Sequence, residues 1–174
     1  MMNKLLILFS SFIFSGFYLS GQINQLITVK AGSRVADYFP IEERYRYPDF
    51  IPGKLIYKNG NLSSARLNYN LLLGEIEFIQ TRDTLMIINK KDISAILIAQ
   101  DTFYYDNGYI ELLSGGKIKV GLQQNIKLKD IVRKGAMGAA NRSVAIDAYN
   151  SMPHDNNLYH IVPNEDWVFQ KTQI

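Results

Sequence analysis

Between Gly53 and Asp130 turn signals interrupt the chain about every ten residues, and this spacing constrains the fold more than any other feature. They fall at Asn59-Gly60, from Asn70 to Gly74, from Gln80 to Asp83, from Asn89 to Asp92, at Asp106-Asn107-Gly108 and at Ser114-Gly115-Gly116. Strands at a spacing of roughly 8–12 residues, joined by tight turns, suit an antiparallel arrangement. None of these connections has the dozen or more residues that a parallel crossover takes. The expected fold class is therefore all-β: an antiparallel meander of about seven to eight strands forming a sandwich or open barrel. A C-terminal hairpin and at most a short helix complete it.

Alternation within the runs supports this. Ala65, Leu67 and Tyr69 share one face by the strand period of two, and Arg66 and Asn68 share the other. In GEIEFI, Ile76 and Phe78 face the core and Glu75 and Glu77 are expected on the solvent side. TLMII and ISAILIA are continuously apolar, as strands covered on both faces are. KIKVGLQQNIKLKD alternates over a long stretch, with Ile118, Val120, Leu122, Ile126 and Leu128 on one face. Lys117, Lys119, Lys127 and Lys129 occupy the other. LYHIV and WVFQKTQ, around the Pro163 to Asp166 turn, are expected to pair as the closing hairpin. RKGAMGAANRS has a flexible composition and SVAIDAY could wind into two helical turns, so 135–150 is read as a flexible segment or short helix.

The N-terminus MMNKLLILFSSFIFSGFYLSGQ has the order of a secretory signal peptide: Lys4, an apolar run to about Leu19, then Ser20 and Gly21. That run is shorter than the ~20 apolar residues a bilayer demands. Residues 1–21 are thus expected to be removed, leaving no transmembrane span in the mature chain. Their loss takes away only Lys4, so the formal charge falls from +3 to one unit less, too little to imply nucleic acid. There is no cysteine, which excludes disulfides, thiol catalysis and a lipidated N-terminal cysteine. Residues 22–52 form a lead-in arm whose prolines at 40, 48 and 52 disfavour a long helix or central strand. Residues 53–174 make a single β-rich domain.

Chemistry-bearing motifs are sparse. His154, Asp155 and His160 are too widely spaced for a local metal motif, and no metal or other cofactor is expected. Glu75 and Glu77 lie on one strand face rather than opposed across a substrate, as glycoside hydrolysis requires. Nucleophile-elbow, phosphate-loop and dinucleotide-binding patterns are absent, so no catalytic residue is assigned. Two surfaces stand out instead. Lys117, Lys119, Lys127, Lys129, Arg133 and Lys134 form a basic run with Asp130 as its one acid, suited to anionic glycan or lipid head groups. Tyr38, Phe39, Tyr45, Tyr47 and Phe50 give the arm an aromatic character that serves either as a contact surface or to pin the arm on the core.

The ordered set GKLIYKNG, LNYN, GEIEFI, DTL, TFYY and KGAMG, followed by SVAIDAY, resembles a family of uncharacterised exported proteins common in Bacteroidota. The resemblance covers roughly Gly53 to Tyr149 and implies export and a β-rich domain, with no catalytic residues to carry over. Together these features point to an exported, non-enzymatic protein of the periplasm or outer envelope that acts as a binding or assembly module with an envelope protein partner. A carrier of a small apolar or amphiphilic ligand is the alternative, and a hydrolase of envelope polymers the third reading.

Overall fold

A computed structural model describes residues 25–134, 140–144 and 156–173. Residues 1–21, where a leader is expected, and the parts of 135–150 outside 140–144 lie beyond the described residues.

The meander forms an eight-stranded antiparallel sheet. Its members are β2 (Ile51–Tyr57), β3 (Leu62–Asn70), β4 (Glu75–Gln80), β5 (Asp83–Met86), β6 (Ile93–Ile98), β7 (Asp101–Tyr105), β8 (Tyr109–Gly115) and β9 (Lys119–Leu122). Their spatial order is β5-β4-β3-β2-β6-β7-β8-β9. The β2–β3 turn is the expected Asn59-Gly60: Gly60 sits at φ +87, the backbone region glycine enters without steric cost. The Asn59 side chain accepts the Asn61 amide at 2.9 Å.

A second sheet of four strands has the order β1-β12-β10-β11. It contains β1 (Gln25–Val29), β10 (Gln124–Lys134), β11 (Ala140–Val144) and β12 (Asp166–Gln173). The stretch KIKVGLQQNIKLKD is therefore not one strand. The chain leaves β9 in the large sheet, passes through Gln123 and enters β10 in the small one. At Lys129 a bulge between Leu128 and Asp130 shifts the register against β12. The extra residue switches the inward set from Ile126 and Leu128 to Ile131, which strict alternation cannot anticipate.

The large sheet is an open barrel, curled but not closed. β3 and β7 stand three positions apart in the sheet, about 14 Å if it were flat. Yet the Tyr69 and Phe103 rings are 5.7 Å apart, and Tyr69 lies 5.9 Å from Tyr109 of β8. Rolling the sheet brings these rings into one core. Gly53 permits the tight packing: a Cβ there would stand 2.6 Å from the Leu97 carbonyl and 2.7 Å from Leu67 Cδ1.

The lead-in is more structured than a simple arm. β1 joins the small sheet; a 3-10 turn at Val35–Tyr38 and the one-turn helix α1 (Ile41–Arg44) follow. The chain then runs along the flank of β3 that β2 leaves free. Arg46 N donates to the Tyr69 carbonyl and Leu71 N to the Arg44 carbonyl, at 2.9 and 2.7 Å. Pro52 does lie in a central strand, but it pairs with Arg66 of β3 while the β6 pairing begins only at Gly53. Its missing N–H thus falls where no second partner asks for one.

The closing segment differs from expectation in one element. Asn156–His160 is a 3-10 turn, and β12 pairs with β1 and β10. The two sheets share one core: Phe39 packs edge-on against Phe169 at 5.0 Å, and Ile126 N donates to the Leu71 carbonyl at 2.8 Å.

Candidate functional site

The arm covers the polar face of β3 and β4, and this overturns the placement of Glu77 on the solvent side. Register sets Asn68 opposite Glu77 and Asn70 opposite Glu75, and Asn68, Asn70 and Glu77 are all fully buried. The Tyr45 hydroxyl donates to Glu77 Oε2 at 2.8 Å, and Asn70 Nδ2 donates to the same oxygen at 3.1 Å. Asn70 Nδ2 also reaches the Tyr159 hydroxyl at 2.6 Å, and the Arg44 guanidinium stacks 4.5 Å from the Tyr159 ring centre. Burial pushes the Glu77 carboxyl above its ordinary range, opposed by the bonds from Tyr45 and Asn70 and by the Arg44 charge. A buried, raised carboxyl is a frequent mark of catalysis. Here the group is 0% exposed, so no substrate reaches it, and its chemistry is that of a pin between the arm and the sheet. Glu75 forms an ion pair with Lys90.

Asn68 clamps the arm's backbone. Its Nδ2 donates to the Tyr47 and Asp49 carbonyls at 2.8 and 3.1 Å, and its Oδ1 accepts the Tyr47 amide at 3.1 Å. Beyond the clamp the arm reaches across the curl. Arg46 contacts both Glu111 oxygens at 3.3 Å, and the Tyr47 hydroxyl donates to Asp101 Oδ2 at 2.6 Å. Among the aromatic-arm residues, Phe39 is fully buried, Tyr45 packs on Phe50 at 5.3 Å, and Tyr38 and Tyr47 are half-buried against the core.

The basic run is divided between the two sheets. Lys117 and Lys119 belong to the β8–β9 hairpin, whereas Lys127, Lys129, Arg133 and Lys134 lie on β10. Lys127 and Lys129 are exposed, and Arg133 pairs with Glu165 at 2.8 Å. Ile118 and Val120, expected on one face with Leu122, Ile126 and Leu128, are 78% and 48% exposed, and every residue from 113 to 121 is exposed with them.

The feature best formed to receive a ligand is an apolar trough at the opposite edge of the large sheet. It encloses about 750 Å³ over β2 to β6, with Leu55, Ala65, Phe78, Leu85, Met86, Ile87 and Ile93 among its walls. Ser63, Ser64, Gln80 and Asn89 add neutral polar groups, and no lining residue is charged. A drug-sized ligand occupies a cavity of about 300–1,000 Å³. Ile79, Leu85 and Ile88 on its walls are 37%, 40% and 87% exposed, an apolar surface of the kind that marks a binding site. Short β5, the edge strand of the sheet, pairs with β4 alone and supplies one wall together with Ile87, Ile88 and Asn89 beyond it. The serines face no histidine or carboxylate within this lining, so the trough can sequester but offers no acid–base pair.

Asn70 serves the backbone of its turn, its Oδ1 accepting the Leu72 and Leu73 amides at 3.2 and 3.1 Å, but local pattern shows neither the trough nor the burial of Asn68, Asn70 and Glu77. The consecutive Ile87-Ile88 and the apolar Leu71-Leu72-Leu73 turn were the signals available. Among the described residues no group of three His, Cys, Asp or Glu side chains could hold a metal ion. His154 and Asp155 lie outside the described residues, and His160 is exposed. No described helix is long and apolar enough to cross a membrane. No family model matches the chain, and neither a curated protein nor a solved structure does so.

Proposed function

We propose that this chain is an exported, non-enzymatic binding protein of the cell envelope that holds a small apolar or amphiphilic ligand in the trough over β2 to β6. The trough itself carries this reading: about 750 Å³, apolar walls, neutral polar groups and no charged lining residue. The leader-like N-terminus and the resemblance to exported proteins support the compartment.

A naphthalene-sulfonate dye tests the site directly. It is expected to bind saturably with a blue-shifted emission, and Ala65→Trp, which fills the trough, weakens that binding about tenfold or more, the equivalent of ~1.4 kcal/mol. Equal binding by Ala65→Trp removes the proposal. Native mass spectrometry of protein taken from its own cells identifies the natural ligand.

A second reading, an envelope protein partner, draws on the free edge of β5, which pairs with β4 alone. An extended peptide adding to that edge would place alternate side chains in the trough. A photocrosslinker at Leu85 separates the two: a discrete protein adduct in cells favours the partner, and a small-molecule adduct favours the ligand.

A further inference from the structure

The β8–β9 hairpin carries a different surface, independent of the trough. Every residue from 113 to 121 is exposed, so the hairpin end stands clear of the barrel. Within it Leu113, Ile118 and Val120 present apolar side chains at 56%, 78% and 48% exposure. Lys117 and Lys119 flank Ile118, and neither has an ion-pair partner among the described residues. No acid occurs between Leu112 and Lys129. The nearest preceding one, Glu111, is buried and bound to Arg46.

The tip is thus cationic and apolar together. A soluble anionic glycan would use the lysines and leave Leu113, Ile118 and Val120 in water. A lipid surface uses both: apolar side chains enter the boundary between head groups and acyl chains, and lysines stay at the anionic head groups with their stems in the apolar layer. The register fits this division, since Ser114 faces Val120 and Gly115 faces Lys119 across the hairpin. Small groups opposite each one leave the larger side chains unhindered.

We propose that the tip of the β8–β9 hairpin is a membrane-docking site that inserts Ile118 and Val120 into an anionic lipid surface, with Lys117 and Lys119 on its head groups. Flotation of the intact protein with vesicles tests this. The protein is expected to float with vesicles containing phosphatidylglycerol and to remain behind with phosphatidylcholine alone. Ile118→Ser with Val120→Ser lowers affinity for the anionic vesicles about tenfold, through lost apolar burial. Each of Lys117→Glu and Lys119→Glu lowers it about fivefold or more, from ~1 kcal/mol per basic residue at an anionic surface. Lys58→Glu, on another hairpin, leaves it unchanged.

Because the chain has no cysteine, Ile118→Cys labelled with an environment-sensitive dye reports insertion. A blue shift on adding anionic vesicles supports the proposal, and an unshifted spectrum overturns it. So does failure of the wild type to float. Flotation that survives loss of both apolar side chains and is matched by binding to a soluble sulfated polysaccharide overturns it too, in favour of a glycan. The dye-binding assay on the trough is unaffected by these variants, so failure of either idea is seen separately.

Discussion

At the scale of single residues, Glu77 links the fold to pH. Burial raises its folded pKa above the ordinary 4.5, against smaller opposing contributions from Tyr45, Asn70 and Arg44. In the unfolded chain the carboxyl ionises at its ordinary value. Between that value and the raised one the folded state therefore holds more protons than the unfolded state. Stability from this group is present at low pH and is lost as pH rises through that window. Glu77→Gln removes the titration and keeps an oxygen for Tyr45 and Asn70. Urea denaturation at about pH 5 and about pH 7.5 is expected to show a smaller loss of stability on raising pH for Glu77→Gln than for wild type. Glu77→Ala also removes the titration but strands the two donors; it costs about 1–3 kcal/mol at the lower pH and less at the higher one. Equal pH dependence in wild type and Glu77→Gln would refute the assignment. None of this is visible in GEIEFI, because alternation assigns Glu77 to a face and says nothing of what covers that face.

At the scale of elements, the arm is anchored by buried Val35 and Phe39 and also by polar contacts that cross long sequence separations. Asn68 holds the Tyr47 and Asp49 backbone, Glu111 holds Arg46, and Asp101 holds Tyr47. Asn68→Ala leaves those partly buried backbone groups without their partner and is expected to cost about 1–3 kcal/mol. Hydrogen exchange separates this from a general loss of stability: the Tyr47 amide should lose protection first, while Ile96 and Phe103 amides in the central strands keep theirs. Uniform loss across both regions would mean that the clamp is not local. The element count and most turns could be read from local chemistry, as at Asn59-Gly60. The Lys129 bulge could not, since a bulge is defined by its partner strand. The 3-10 turn at Asn156–His160 likewise replaces a strand that alternation alone suggested.

At the scale of the whole molecule, two sheets with separate hydrogen-bond ladders share one apolar core. Residues from both, including Leu67, Tyr69, Phe103, Leu128 and Phe169, belong to a single buried cluster. A chain built this way should unfold in one transition. Trp167, the sole tryptophan, reports on the small sheet. Near-ultraviolet circular dichroism reports on the tyrosine cluster of the large sheet, where Tyr105 and Tyr109 lie 5.1 Å apart. Their midpoints in urea are expected to coincide. Phe39→Ala, which empties the edge-on contact with Phe169, should shift both equally by about 3–5 kcal/mol. Separate midpoints would show the sheets to be independent units.

Local periodicity and turn chemistry, both written within a few residues, were enough to establish an all-β antiparallel chain and the approximate strand boundaries. They also placed Leu67, Ile76 and Phe103 at strand positions that prove to be core. Curling of the sheet, burial of Glu77 beneath the arm and division of the lysines between two sheets each depend on residues far apart in sequence. The trough depends on the same thing, because its walls come from five strands. Local pattern states which side chains share a face. Only the packing of distant segments states whether that face meets water, another sheet or a ligand, because burial is a property of what lies opposite.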